Sequence, residues 1–449
     1  MEDTKINDIV KNLKTNPVFN MSLSSKELFH SNVLAWLLDQ YPDGELAELF
    51  IPEGYAVLRV LREWKNFDLF IICAKKEDKE LLSEIDFSEE DSDNNEKIKS
   101  NGLGIRIENK EFKKFAEIKD FEKLKKEVEI LKRKDKLKKY EQTKINRFEE
   151  LEAEEKEIKK LNNIYNACKD CKFIIIENKF KSLPYDDQLK KYIEKIKKGD
   201  INFLQVLRAS EKNIKINLQN TSFKLFAPKG SLDIFFERTN EHIKKYWQGV
   251  SYDEMCLKLP KNCSDKFTRE FIIKYKGFVE AMLKITKRIF ENKTQVFPPK
   301  DDKDILRTIR IHDFYEKLWY SNVLYQIDAG NTKESTVGYS NGSGMLNFHY
   351  TLEKDVEKNY GIEIQVKQFR FFCFPADDNI YEKLFKMKKE WLEILEQEGK
   401  LNGITKDMEE HKRLYKDFKY DYQKLPDNCT IEQLSYFLKV AKQVIERNI

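Results

Sequence analysis

The sequence predicts an α/β protein that carries a long helical insertion and ends in an α+β unit. Short apolar runs at 56–61, 67–73 and 172–180 have the length and composition of buried strands. Amphipathic helical segments flank these runs, a pattern typical of a sheet covered by helices. Between the second and third runs, residues 111–160 contain neither Pro nor Gly and repeat apolar residues at steps of three and four. Long helices are therefore expected inside the sheet-forming part of the chain.

Changes in composition divide the chain into four segments. Residues 1–75 form the first part of a core, and 172–298 form its second part with a helical extension. Residues 76–171 are an insertion, in which an acidic stretch poor in apolar residues leads into a predicted helical hairpin, and we predict that the core folds without it. The hairpin either folds back within the chain or forms a coiled coil with a second copy or another protein. Residues 299–449 form the C-terminal α+β domain.

The C-terminal segment is predicted to combine strands and helices. Its runs MLNFHYTL and IEIQVKQFRFFCF alternate apolar and polar residues, as half-buried strands do. Charged helices are predicted at about 378–398, 405–424 and 431–447. The glycine-rich run GYSNGSG lacks the Lys-Ser/Thr pair of a phosphate-binding loop, so it is interpreted as a hairpin turn.

Composition sets limits on location and partners. The 449 residues include 82 basic and 78 acidic side chains, and the net charge of +4 does not by itself predict nucleic-acid binding. No apolar run approaches the ~18 residues of a membrane span, and the first residues lack the apolar segment of a signal peptide. A cytoplasmic protein without a membrane partner is therefore expected. Seven scattered cysteines fit a reducing compartment, and Cys168-x-x-Cys171 lacks the second pair of a zinc ribbon.

Three charged residues near predicted strand ends suggest a metal site. Glu177 and Lys179 are two apart on the run KFIIIENKF, so a strand there points both side chains to one face. Asp68 begins the run FDLFIIC and reaches the same place if the two strands are neighbours. Gln188 follows on the next predicted helix, where its amide can orient a water molecule. Carboxylates bind Mg²⁺ or Mn²⁺ well, and such an ion activates water for phosphodiester hydrolysis.

These features occur in an order that resembles the PD-(D/E)XK nuclease superfamily. The closer resemblance is to a bacterial branch whose first helix has the form E-x-x-h-S-x-x-L-A-W-L-L-D, here residues 27–39. A glutamate-ended strand follows at 61–63, an Asp-hydrophobic strand at 68–71, and Ile-Glu-Asn-Lys at 176–179. A Gln-Leu-x-x-Tyr helix completes the series at 188–192. One Glu-x-Lys alone would carry little weight, whereas five elements in order are a specific signal.

The resemblance implies a restriction-endonuclease-like αβββαβ core with a central mixed sheet. The catalytic residues that it implies are Asp68, Glu177, Lys179, Gln188 and Glu63, with Asp68 and Glu177 as the metal ligands. Beside the site it places residues of the two helices that we interpret as nucleic-acid contacts: His30, Ser31, Lys190, Lys191 and Tyr192. The lysines also fit a simply solvated helix face. The chain departs from the family pattern in having Asn66-Phe67 where an arginine often precedes the Asp, and in its long insertion.

A second copy of the motif competes for the site. Ile107-Glu108-Asn109-Lys110 repeats the same four residues. It follows an alternating run instead of a continuous apolar one, and Lys119, not a glutamine, stands nine residues after its lysine. We therefore predict that Glu177, and not Glu108, is the ligand.

The sequence thus predicts an Mg²⁺- or Mn²⁺-dependent nuclease, with DNA expected ahead of RNA as the substrate. By family resemblance, the expected role is defence against foreign DNA. The alternative is a catalytically inactive nuclease fold that acts as a scaffold and recruits partners through its helical insertion. The intact set of Asp68, Glu177 and Lys179 favours the enzyme.

Overall fold

The computed structural model describes most of the chain. The described residues are 6–22, 26–83, 102–107, 121–133, 138–180, 184, 186–199, 201–206, 214–263, 265–327, 334–350, 358–376, 380–406, 409, 413–414 and 417–449. The second Ile-Glu-Asn-Lys copy lies outside them from Glu108 onward.

The strands of the described residues belong to three sheets. They are β1 (Tyr55–Arg62), β2 (Leu69–Lys75), β3 (Gly102–Ile107), β4 (Lys172–Asn178), β5 (Asn202–Val206), β6 (Ile214–Lys215), β7 (Thr221–Ala227), β8 (Trp247–Ser251), β9 (Glu334–Ser340), β10 (Ser343–His349), β11 (Asn359–Gln365), β12 (Gln368–Phe374), β13 (Arg413–Leu414) and β14 (Lys419–Lys424).

Helices connect and cover these sheets. They are α1 (Ile6–Thr15), α2 (Pro17–Ser22), α3 (Lys26–Gln40), α4 (Lys79–Ser83), α5 (Phe121–Leu131), α6 (Lys139–Lys169), α7 (Asp186–Lys197), α8 (Lys229–Arg238), α9 (Glu241–Tyr246), α10 (Tyr252–Lys258), α11 (Lys266–Phe290), α12 (Lys300–Arg307), α13 (His312–Gln326), α14 (Ile380–Gln397) and α15 (Ile431–Asn448). The described helices include none that is both long and apolar enough to cross a membrane.

A mixed five-stranded sheet forms the centre of the first half of the chain. Its order is β1-β2-β4-β7-β8, in which β1, β2 and β4 are antiparallel and β4, β7 and β8 are parallel. The apolar run Phe173–Ile176 places β4 in the middle, where both faces of the strand are buried. The strands predicted at 56–61, 67–73 and 172–180 are confirmed as β1, β2 and β4. β8 lies at an edge of the sheet.

Alternate residues of β4 point into two different hydrophobic clusters. Ile174 and Ile176 pack on the side that includes α1, α3 and α11. Phe173 and Ile175 pack on the other side, with Leu189 and further apolar residues of α7. This two-residue alternation determines which layer each polar residue at the end of the strand will face.

The insertion contains the predicted helical hairpin. Val128 of α5 packs against Ile145 and Phe148 of α6, and ion pairs link the two helices along their length. The ends of the insertion belong to the core, however. Leu82 of α4 and Cys168 near the end of α6 are fully buried in the same cluster as Phe173. The part that projects from the core is therefore shorter than residues 76–171.

The C-terminal segment forms a six-stranded antiparallel sheet of order β13-β14-β12-β11-β10-β9. The predicted strands are confirmed, and the GYSNGSG run is a hairpin turn in which Asn341 and Gly342 have positive φ. The helix predicted at about 405–424 is wrong, because residues 419–424 form β14. The alternation of Tyr420 and Tyr422 suits a strand, and β14 pairs with β12.

Candidate active site

Asp68 and Glu177 lie across from each other on adjacent strands. Leu69 of β2 pairs with Ile176 of β4 in antiparallel register, so the residues just beyond them are neighbours. The backbone N–H of Asn178 donates to Asp68 Oδ2 at 2.8 Å. The pairing that the sequence could only suppose is thus present, and it brings both carboxylates to one end of the sheet.

Glu177 is the most enclosed of these acids, with no exposed surface. Its Oε1 receives two donors: Gln188 Nε2 at 2.6 Å and Lys179 Nζ at 2.7 Å. Its Oε2 is buried and forms no hydrogen bond with the described residues. A buried carboxylate oxygen without a donor is costly to maintain unless a cation or another ligand contacts it.

The donor set fits a hard divalent cation. Mg²⁺ prefers carboxylate oxygens and usually keeps several water molecules, so one or two protein carboxylates suffice. Asp68 and Glu177 would hold the ion, with Glu177 Oε2 as one ligand. Among the described residues, no cluster of three or more His, Cys, Asp or Glu is placed to bind a metal. The ion would therefore depend on water and substrate oxygens for its remaining ligands.

The loop that leads into Asp68 has an unusual backbone. Glu63, Lys65 and Asn66 all have positive φ, a conformation that residues other than glycine adopt at a cost. The side chain of Glu63 is exposed, and its N–H donates to Asp68 O at 3.1 Å. Glu63 thus supports Asp68 through the backbone, while its carboxylate points toward solvent.

Helix α7 holds this loop in place. Tyr192 Oη donates to Asn66 O at 2.7 Å, and Lys195 Nζ donates to the carbonyl of Lys65. Tyr192 is only 8% exposed and lies within 3.4 Å of Gln188 Nε2. Burial, together with the nearby Glu177, raises the pKa of Tyr192, so its hydroxyl stays protonated and able to donate. In this arrangement Tyr192 positions the loop instead of offering a surface to nucleic acid.

Residues on the opposite face of β4 form hydrogen bonds with helix α3. Asn178 is fully buried, its Nδ2 lies 3.0 Å from Ser31 Oγ, and Tyr252 Oη donates to its Oδ1 at 2.7 Å. His30 is also fully buried, where it packs on Phe180 and places Nδ1 3.1 Å from Tyr275 Oη. His30 and Ser31 therefore lie beneath the strand and have no surface for a nucleic-acid strand to contact.

We expect Asn178→Ala to lower the free energy of unfolding by about 2–3 kcal/mol, because it removes two buried hydrogen bonds. Urea denaturation of the purified chain measures this. Asn12→Ala on the exposed face of α1 is the matched control, with an expected change within about 0.5 kcal/mol. Equal effects of the two substitutions would show that the Asn178 contacts contribute nothing.

Lys190 and Lys191 are exposed on the solvent face of α7, and Lys190 lies 3.9 Å from Asp187. They remain available to phosphate groups, in contrast to the buried Tyr192. Lys195, on the same helix, was not among the residues that the sequence analysis placed at the site. Its contact with the loop carbonyl had no sequence signal, because the loop conformation is set by tertiary packing.

Cys168 and Cys171 are both buried in the core and form no disulfide. The hydrogen bond with Cys168 and burial raise the pKa of the Cys171 thiol, which favours its protonated form and suits core packing.

Comparisons with known proteins found no matching family model, curated protein or solved structure. The function must therefore be inferred from the geometry of the site.

Proposed function

We propose that this chain is a divalent-metal-dependent nuclease that hydrolyses phosphodiester bonds, with DNA as its substrate. The observation that carries the proposal is the state of Glu177: a fully buried carboxylate with two donors on Oε1 and none among the described residues on Oε2. Asp68 lies at the start of the adjacent strand, so two carboxylates are close together and Glu177 Oε2 can bind a cation.

The order of elements around the site supports the same proposal. Helix α3, strands β1, β2 and β4, helix α7 and strand β7 occur in the order of an αβββαβ core, with the insertion between β2 and β4 and with β5 and β6 between α7 and β7. This is the order expected of the PD-(D/E)XK superfamily, with the first acid on the second strand and the Glu-x-Lys pair on the third.

The residues of the site have different roles in the proposed hydrolysis. The metal ion, when bound, supplies a water molecule of lowered pKa and positive charge beside the phosphate. Asp68 and Glu177 hold the ion on the rigid centre of the sheet, which fixes its position. Lys179, with its side chain only 12% exposed, brings an ammonium to the developing negative charge. Gln188 fixes the Glu177 carboxylate and has amide atoms that can orient the attacking oxygen.

Basic groups near the site supply a path for the substrate backbone. Lys190 and Lys191 face solvent on α7, the helix that also carries Gln188. Their charge can contact phosphates next to the one that is cleaved. A role in defence against foreign DNA follows from the family resemblance and is part of the proposal.

The experiment that tests the proposal is incubation of the full chain with plasmid DNA, single-stranded DNA and RNA, each with Mg²⁺, Mn²⁺ or EDTA. We expect cleavage of DNA with either ion and none with EDTA, because the carboxylates alone cannot activate water. Calorimetric titration with Mn²⁺ separates the outcomes further. No cleavage together with no Mn²⁺ binding would overturn the proposal in favour of a scaffold protein.

A further inference from the structure

A cavity of about 480 Å³ lies between the first half of the chain and the C-terminal sheet. It is bounded by the start of α7, the end of α8, helix α13 and strand β9. This volume falls within the range of roughly 300–1,000 Å³ that is typical of small-molecule sites. Its residues are separate from the carboxylates of the candidate active site.

The walls of the cavity are largely apolar. Ile234 and Phe235 contribute from α8, Leu318 and Leu324 from α13, and Val337 from β9. Such walls favour a ligand with a flat or compact apolar portion that leaves water on binding.

Two cations, Arg238 and Lys317, line the cavity together with the Asp186 carboxylate. Within the described part of the chain, neither Arg238 nor Lys317 forms an ion pair, although Lys317 lies 5.5 Å from the centre of the Tyr339 ring. Arg238 is exposed and Lys317 is half-buried, so both cationic groups can reach an anion in the cavity without breaking an existing ion pair.

The acids near the cavity are already engaged. Asp186, which lines it, accepts hydrogen bonds from Thr239 Oγ1 at 2.7 Å and Asn240 Nδ2 at 2.8 Å. Glu316 accepts from the N–H of Gly344 and pairs with Lys303. The two cations of the lining outnumber its one carboxylate, which leaves net positive charge for a ligand anion.

Hydroxyl groups complete the lining. Ser321 of α13 lines the cavity. Ser335 and Thr336 of β9 also line the cavity. The cavity thus combines cations, an apolar surface and neutral hydrogen-bonding groups.

We propose that this cavity binds a nucleoside monophosphate. The three kinds of lining match the three parts of that molecule: Arg238 and Lys317 the phosphate, the apolar walls the base, and the hydroxyls the sugar and base edges. The inference rests on this lining alone and does not depend on the proposed nuclease function.

The test is isothermal titration calorimetry of the full chain in EDTA, so that the candidate active site holds no metal. The probes are AMP, GMP, CMP and UMP, with adenosine and inorganic phosphate as their fragments. We expect at least one monophosphate to bind about tenfold or more tightly than either fragment. Arg238→Ala and Lys317→Ala should each weaken that binding by about tenfold, because each removes a charge-assisted contact.

Lys439→Ala, at an exposed position on α15, is the matched control and should leave the dissociation constant unchanged. Thermal unfolding is used to show that each variant is folded. The proposal is overturned if no monophosphate binds more tightly than phosphate or adenosine. It is also overturned if folded Arg238→Ala and Lys317→Ala variants bind as the parent does.

Discussion

Replacing Glu177 or Lys179 with Ala should abolish DNA cleavage while the chain remains folded. We expect a fall in rate on the order of 10³-fold, since removal of one electrostatic group from such a site costs 10²–10³-fold. Glu177→Ala removes the oxygen that lacks a donor and with it a metal ligand. Lys179→Ala keeps both carboxylates and removes the ammonium. Cleavage assays with Mg²⁺ measure both, and circular dichroism with thermal unfolding checks the fold.

Mn²⁺ titration distinguishes the two roles. Glu177→Ala should lose Mn²⁺ binding along with activity, because the cation loses a ligand on the rigid strand. Lys179→Ala should keep Mn²⁺ binding and lose only the rate, because its ammonium acts on the developing charge and does not ligate the ion. If both variants bound Mn²⁺ as the parent does, the ion would be held elsewhere.

The second Ile-Glu-Asn-Lys copy offers a matched control with the same local sequence. Glu108→Ala should leave the rate within a few-fold of the parent. β3, the strand that ends at Ile107, pairs with β5 in a small separate sheet, whereas β4 is central in the five-stranded sheet beside Asp68. Loss of activity in Glu108→Ala, with activity retained in Glu177→Ala, would show that the wrong copy had been chosen.

The placement of Glu177 and Lys179 on one face of a strand could be predicted because strand periodicity and burial are local properties. The run from Phe173 to Ile176 specified a buried strand, and the two-residue repeat put Glu177 and Lys179 on one face. The positions of Asp68 and Gln188 followed once that strand was placed. Only the pairing of β2 with β4 had to be assumed.

Other features depend on tertiary packing and had no local signal. The positive φ of Lys65 and Asn66 is stabilised by α7, more than 100 residues later, so the local sequence does not specify it. His30 appeared close to the site from its motif, yet the helix turns its ring into an aromatic cluster with Phe180 and Phe278. The charged side chains of residues 419–424 led to a helix prediction. These residues form a strand instead, because a strand that is paired on both sides can bury polar side chains in hydrogen bonds.

The ends of the insertion give the second large expected effect. Replacing all of 76–171 with a short Gly/Ser loop should prevent the core from folding, which differs from our sequence prediction that the insertion is dispensable. Leu82, Ile164, Ala167, Cys168 and Cys171 are buried in the cluster that covers β4. Together they contribute on the order of 5–10 kcal/mol of burial, which is comparable to the whole stability of a domain.

A shorter replacement separates the core-packed ends from the projecting hairpin. Replacing only 108–160 keeps α4, β3 and the last turns of α6, and it removes α5 with its small cluster around Val128 and Phe148. That cluster packs within the hairpin, so its removal exposes little of the main core. We expect this variant to unfold cooperatively within several degrees of the parent, while the 76–171 replacement is insoluble or lacks a thermal transition. Cooperative unfolding of the 76–171 replacement at the parent's temperature would contradict this, because it would mean that the face of β4 around Phe173 is stable without Leu82 and the end of α6.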